Sequence, residues 1–255
     1  MIRNFVRPLG VAFVFCCTLS QAQSPDELLS KHVQARGGLE KLNAVQAVKM
    51  SGKIALMPLN EFRKAEGQAQ ELPLDLIEKR SNKVRLEIDA QGKKLIQGFD
   101  GAETAWGLRP DATEPDMLFD DEGGVGEMMA LLMQDLADLE GPLVNAKEKW
   151  DKVQLEGTEG AGDDVAYRLK LIPKNGYVRH ALLDGKTSLI RQTTRSGSDF
   201  QLETSYSNYR PLNGVQVPYS IEGKIDGELF VRIRFDNAEV AGPLDDTMFQ
   251  LPGKK

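Results

Sequence analysis

The chain is poor in the residues on which most enzymes and metal proteins rely. Of its 255 residues only two are cysteine, two histidine and two tryptophan. Cys16 and Cys17 sit together in an apolar stretch near the start, so the rest of the chain offers neither a disulfide nor a thiol nucleophile. His32 and His180 lie far apart with no His-x-x-x-His spacing and no cysteine nearby, which excludes the usual zinc and other transition-metal patterns. Each reads as a polar surface or core-edge residue. Positive charge is short as well: a formal net charge of −6 argues against nucleic acid and against a polybasic membrane patch. After residue 22 no apolar run approaches the roughly 18 residues of a spanning helix.

The start carries a leader pattern. Arg3 and Arg7 supply positive charge, Leu9 to Leu19 is an apolar run, and Ser20-Gln21-Ala22 is a small-x-small cleavage site before Gln23. The pattern predicts a cleaved signal peptide over 1–22 and a single exported domain over 23–255. Val14 and Phe15 ahead of Cys16 are not the small residues of a lipoprotein signal, so the protein is not expected to be a lipoprotein itself. Removing Arg3 and Arg7 leaves 30 basic against 38 acidic residues, net −8. About 233 residues suffice to bury an ordinary core without disulfides.

Local signals then follow in order. Ser24-Pro25-Asp26-Glu27 is a capping box with proline at the first helical position, and the helix carries Leu28, Leu29, His32 and Val33 on one face before Gly37-Gly38. Leu39 to Val45 forms a second short helical turn. From Lys49 the apolar period changes from 3.6 to 2. Strands are predicted over 49–56, 73–80, 83–90, 93–99 and 103–108, then over 165–171, 177–183, 188–195, 200–206, 215–221 and 229–235. Residues 60–71 read as a loop and 109–124 as a long acidic connection. Asp100-Gly101, Asn175-Gly176 and Asp184-Gly185 read as tight hairpin turns, and Pro218 points to an edge or outer position. About eleven antiparallel strands in sequential order must curl or close to remove their edges.

One segment breaks the strand pattern. Gly123 to Pro142 is an amphipathic helix with Met128, Met129, Leu131, Leu132, Met133, Leu136 and Leu139 on one side and Glu127, Gln134, Asp135, Asp138 and Glu140 on the other. Gly141-Pro142 is the expected stop. Three methionines give an adaptable surface where a fixed core would carry Leu, Ile and Val. The helix is either a plug on the sheet or a movable lid over an apolar cavity. Seven such side chains stabilise the closed state by roughly 10–20 kcal/mol gross, while a sixteen-carbon acyl chain at ~0.8 kcal/mol per methylene gives roughly 13. An acyl chain could therefore replace the lid's contacts at little net cost, and that comparison favours the lid.

No catalytic constellation competes with this reading. Ser196-Gly197-Ser198 is ordinary loop composition and not a nucleophile on a sharp turn. Gly123-Gly124-Val125-Gly126 lacks the P-loop lysine, and Asp120-Asp121-Glu122 before it would repel a phosphate. The same acidic triplet lacks the spaced ligands of a calcium loop. With 38 acidic residues, some carboxylate pair always looks suitable for glycoside hydrolysis, so that pattern decides nothing. The expectation is a protein that is not an enzyme and needs no cofactor.

Six stretches carry a resemblance. They are KHVQARGGLEKLNAVQAVKMSGKI, DLADLEGPLVNAKEKWDKVQLEGTE, AYRLKLI, YVRHALLD, SNYRPLNGVQVPYSIE and, near the end, DDTMFQLP. Together they resemble the bacterial outer-membrane lipoprotein-sorting proteins, relatives of the periplasmic lipoprotein carrier LolA, over about residues 26–252. The resemblance implies an incomplete antiparallel β-barrel with a helical lid, mainly β in class, over a cavity that accepts acyl chains. It also implies a strand arginine that latches the lid, for which Arg80 and Arg85 are candidates. The chain is some fifty residues longer than the carrier proper.

These readings converge on a periplasmic, non-enzymatic carrier of the acyl chains of lipids or lipoproteins. Met50, Ile54, Leu56, Val84, Leu86, Ile88 and Trp106 are expected to line the concave face, with Met128, Met129, Leu132, Met133 and Leu136 on the lid. The partners would be an acylated ligand, an inner-membrane transporter and an outer-membrane acceptor, with the protein a monomer. The alternative is an envelope sensor or adaptor that uses the same fold to bind a protein.

Overall fold

The structure, a computed structural model, describes residues 23–57, 71–102, 104–120 and 124–253. The expected signal peptide and nearly all of the 60–71 loop lie outside these residues. The chain opens with helix α1 (Pro25–Ala35), whose Ser24 side chain accepts from the Glu27 amide at 3.2 Å, and α2 (Leu39–Ala44). A first run of strands follows: β1 (Ala47–Leu56), β2 (Glu71–Lys79), β3 (Lys83–Ala90), β4 (Lys93–Phe99), β5 (Ala105–Leu108) and β6 (Asp116–Met117). Helices α3 (Val125–Ala137) and α4 (Ala146–Lys149) interrupt it. A second run completes the chain: β7 (Lys152–Glu159), β8 (Ala166–Ile172), β9 (Arg179–Asp184), β10 (Ile190–Ser196), β11 (Gln201–Leu212), β12 (Val215–Ile225) and β13 (Glu228–Val240).

All thirteen strands among the described residues join one antiparallel sheet, in the order β6-β5-β4-β3-β2-β1-β13-β12-β11-β10-β9-β8-β7. Each run is a meander, and the two runs meet only where β1 pairs with β13. The sheet is open: β6 and β7, consecutive in the chain, are its two opposite edges. The incomplete barrel is thus as expected, with two strands beyond the eleven. β6 is a two-residue pairing inside the acidic connection. β7 is an edge strand, largely half-exposed and bulged between Leu155 and Gly157, so it shows no clean alternation to read.

The tight two-residue turns lie elsewhere than predicted. Asn213-Gly214 and Asp226-Gly227 have both residues at positive φ (47° and 79°, 49° and 83°), the geometry that matches strand twist. The connection after Asp184 is wider: the Asp184 carboxylate accepts from the backbone of Lys186 at 2.9 Å and Thr187 at 2.6 Å. The connection holding Asn175-Gly176 spans the six residues between Ile172 and Arg179. Pro218 lies in an interior strand opposite Tyr209 of β11, but β12 pairs with β13 only from Ser220 onward, so on the β13 side it stands outside the ladder.

Apolar side chains divide into two clusters. The larger joins α3 to Val48, Met50, Ile54, Val84, Leu86, Ile88, Phe99, Val217, Ile221 and Ile233 on the inner face. The smaller packs Leu28 and Leu29 of α1, Ala146 and Trp150 against Leu169, Leu171, Ala181 and Leu183 of the second meander. His32 is fully buried with this helix, not at the surface. Its Nδ1 donates to the Ser188 carbonyl at 2.9 Å, and burial lowers the imidazole to about 3, so it is neutral.

On the outer face the C-terminal segment straps the first meander. Asp246 pairs with Lys79 and Lys83, and Arg85 donates to the Met248 carbonyl at 2.9 Å. Trp106 donates from Nε1 to the Phe249 carbonyl at 3.0 Å.

The seam between the meanders is tight at Gly52, opposite Phe235, where the register shifts. A Cβ there would stand 2.0 Å from the Arg234 carbonyl oxygen and 2.7 Å from the Phe235 Cα. Gly52→Val is expected to cost about 1–3 kcal/mol or more, read as a lower urea midpoint at unchanged slope. An unaltered midpoint contradicts the packing described.

Candidate functional site

Because β6 and β7 are opposite edges, the segment linking them has to pass over the sheet. That segment holds α3, which lies on the inner face over β2, β3, β4 and β5, with β11 beside it. Its sequence suits the position. Met128, Met129, Leu131, Leu132, Met133 and Leu136 are all buried, as are the small Ala130 and Ala137, which let the helix come close. The helix ends at Ala137, four residues before the expected stop. Asp138 leaves helical geometry (φ −81°, ψ 76°), and Gly141 (φ 78°) closes a separate turn by donating to the Asp138 carbonyl at 2.7 Å.

Of the residues expected to bind an acyl chain, the structure gathers ten into the cluster around α3: Met50, Ile54, Val84, Leu86, Ile88, Met128, Met129, Leu132, Met133 and Leu136. Two are placed otherwise. Leu56 pairs with the buried Val231 but is 40% exposed at the end of β1. Trp106 is fully buried on the opposite face, against the C-terminal strap. Its cross-strand partner is Gly98, where any Cβ would strike the indole at 2.4 Å. Strand parity decides this: Ala105 and Gly107 point inward with Phe99 and Gln97, so Trp106 must point out.

The polar side of α3 is not a solvated face. Asp135, with a side chain only 5% exposed, receives Arg195 at 3.1 Å and Arg179 at 3.3 Å, and Thr204 Oγ1 donates to it at 3.1 Å. Arg195 also donates to Gln134 at 2.9 Å. Arg179 and Arg195 are direct cross-strand partners, a like-charge pair that repels unless a carboxylate stands between them. At the other end Glu127 accepts from the Ser198 amide at 3.0 Å and hydroxyl at 2.6 Å. The turn after α3 is held as well. Arg80 pairs with Glu140 and donates to the Val45 carbonyl at 2.8 Å, while Lys149 pairs with Asp138 at 2.7 Å. Burial would raise the Glu140 carboxyl, but Arg80 and Lys149 hold it below its ordinary value. Arg36, 5% exposed, donates to the carbonyls of Glu140 at 3.0 Å and Leu139 at 3.3 Å.

Arg80 therefore touches the turn after α3, whereas Arg85 lies on the outer face over Trp106 and does not. The firmer latch, Asp135 with Arg179 and Arg195, does leave a mark in the sequence. Arg179 shares strand parity with Ala181 and Leu183, and Arg195 with Thr193, so both put charge on a buried face. Arg36 leaves none, since a basic residue near a helix C-terminus is commonplace.

Beneath the end of α3 lies a cavity of about 60 Å³, bordered by Arg36, Glu78, Tyr206, Met50, Leu136 and Ile221. At roughly 10–15 Å³ per water, that holds a few waters or one compact group. It does not hold an acyl chain. Among the described residues no helix is long and apolar enough to cross a membrane, and no group of three or more His, Cys, Asp and Glu is placed to hold a metal ion.

This open antiparallel sheet is a fold shared with LolA-like proteins of known structure. A LolA superfamily protein from Nitrosomonas europaea superposes with a TM-score of 0.60 at 13% identity, over 90% of this chain and 98% of that one. A domain described as an outer membrane lipoprotein-sorting protein from Vibrio parahaemolyticus gives 0.59 at 10% identity, over 89% and 95%. A DUF1329 family protein from Desulfovibrio piger gives 0.58 at 14% identity, over 90% and 98%. At these identities the likeness is one of fold. No protein-family model matches the sequence, and no curated protein matches it.

Removing one partner of a buried pair costs more than the pair itself contributes, because the other charge is left behind. Asp135→Asn is expected to cost about 3 kcal/mol in urea unfolding. Asp138→Asn, which releases only the more exposed Lys149, should cost under about 1 kcal/mol. Equal small effects contradict the latch.

Proposed function

We propose that the protein is a non-enzymatic carrier in the bacterial periplasm, which takes acyl chains of lipids or lipoproteins beneath α3. The observation that carries this reading is the state of the inner face: it is largely apolar, and the helix α3 that covers it is methionine-rich and anchored by discrete polar contacts. A permanent plug gains nothing from Met128, Met129 and Met133, whereas a surface that must pack against both sheet and ligand does. Fold likeness to lipoprotein-sorting proteins agrees with this reading.

The cavity beneath the end of α3 is too small for a chain, so on this reading a ligand displaces α3 and replaces its contacts with the sheet. The polar latch sets the cost of that displacement. Where the binding-competent state is minor, apparent affinity falls in proportion to its population. The ten gathered residues, Met50, Ile54, Val84, Leu86, Ile88, Met128, Met129, Leu132, Met133 and Leu136, then serve as the chain's surroundings. An acylated cargo, an inner-membrane donor and an outer-membrane acceptor are the partners this implies.

Protein purified from its own envelope and extracted for mass spectrometry is expected to yield acyl lipids, and the emptied protein to bind a fluorescent fatty acid. Asp135→Asn should bind that probe more tightly, about tenfold for each ~1.4 kcal/mol by which the latch is weakened. Absence of both lipid and binding contradicts the carrier. One stably cross-linked protein partner in its place would favour an adaptor.

A further inference from the structure

The cavity under the end of α3 has a chemistry that the acyl-chain reading does not use. Arg36 is almost fully buried yet makes no ion pair within 4 Å among the described residues, and its Nε–H has no partner. Its two Nη groups reach only backbone carbonyls. A guanidinium has five N–H donors, so donors and a full charge remain unspent at the cavity wall. Opposite lies Glu78, whose carboxyl has no hydrogen-bond partner among the described residues and borders the same space. Burial, opposed by the Arg36 charge, pushes that carboxyl up to about 8, so at neutral pH it is largely protonated and can donate. The other two carboxyl groups on the cavity wall, Asp135 and Asp138, are already paired, Asp135 with Arg179 and Arg195 and Asp138 with Lys149, so Arg36 is the wall's cation that lacks an ion pair among the described residues.

We propose that this cavity is a head-group site, which receives the carboxylate or phosphate of an anionic amphiphile on Arg36 and Glu78 while the acyl chain runs past Met50 and Leu136 beneath α3. It rests on the carrier reading and deepens it. Size supports the assignment: one compact oxyanion fits the cavity as it stands, and an acyl chain does not. The head therefore docks first, and the chain follows by displacing the helix. Arg36 couples the two events. The guanidinium that meets the anion is the one that holds the Leu139 and Glu140 carbonyls of the turn after α3. An anion competes with those carbonyls for its donors and so loosens the exit of the lid.

The test compares three single-chain probes bound by the whole exported protein. They are palmitate, palmitoyl-lysophosphatidylglycerol and the neutral monopalmitoylglycerol. A charge-assisted hydrogen bond predicts that at least one anionic probe binds roughly ten- to a hundredfold more tightly than the neutral one. Whether palmitate or the phosphodiester gains more tells a carboxylate site from a phosphate site. Affinity for lysophosphatidylglycerol, whose own charge is constant, should fall as pH rises from about 7 to about 9, because Glu78 ionises and repels it. Glu78→Gln, which cannot ionise, should remove that slope. Arg36→Gln should lower anionic binding toward the neutral level. If that variant fails to fold, the Glu78→Gln slope decides. Equal binding of all three probes overturns the head-group site and leaves the carrier standing, as does a slope that survives in Glu78→Gln. Binding of none overturns both.

Discussion

One topological constraint orders the rest of this molecule. The chain lays β1 to β6 outward from the β1–β13 seam and then brings β7 to β13 back toward it from the far edge. The connection from β6 to β7 must therefore travel from one edge of the sheet to the other. The inner face is apolar and cannot stay wet, so the travelling segment has to cover it. That is why the amphipathic helix between the meanders, α3, lies across the inner face. The open edges are the counterpart: a barrel closed by β6–β7 pairing would leave the connection no reason to cross.

The helix is held by two kinds of force with different reach. Methionine and leucine packing against β2 to β5 is non-directional and can be taken over by any apolar chain of similar size. The contacts of Glu127, Asp135 and Glu140 are directional and specific. On the carrier proposal they would not compete with an acyl chain, and would fix where the helix returns when the chain leaves. Arg179 and Arg195, adjacent across strands, make the closed state self-selecting, since Asp135 relieves a repulsion that opening restores.

Much of this is legible in the residues. Period-2 alternation in Val84, Leu86 and Ile88 and in Leu229 to Phe235 places those strands, and the period of 3.6 from Met128 to Leu136 places α3. The number of strands falls short by two because β6 is too brief to carry a period and β7 is a bulged edge. Pattern alone puts Trp106 on the wrong face because a short strand after a loop has no parity of its own; only its pairing to Gly98 sets it. The polar side of α3 looks solvated in sequence because helix periodicity shows which residues share a face and not what that face meets. The arginines it meets lie 44 and 60 residues on from Asp135, within strands whose apolar members dominate the pattern.

For this protein to carry an acyl chain, α3 must leave the sheet without the sheet unfolding. An isolated helix of this length is marginal in water, so each departure opens its amides to exchange. Native-state hydrogen exchange resolves such openings residue by residue. The amides of Met128 to Leu136 are expected to exchange through an opening of lower free energy than those of β12 and β13. A long-chain fatty acid should change the exchange of α3 and leave the seam unaltered. Exchange of α3 only through global unfolding, indifferent to the fatty acid, would make it a plug and contradict its role as a lid.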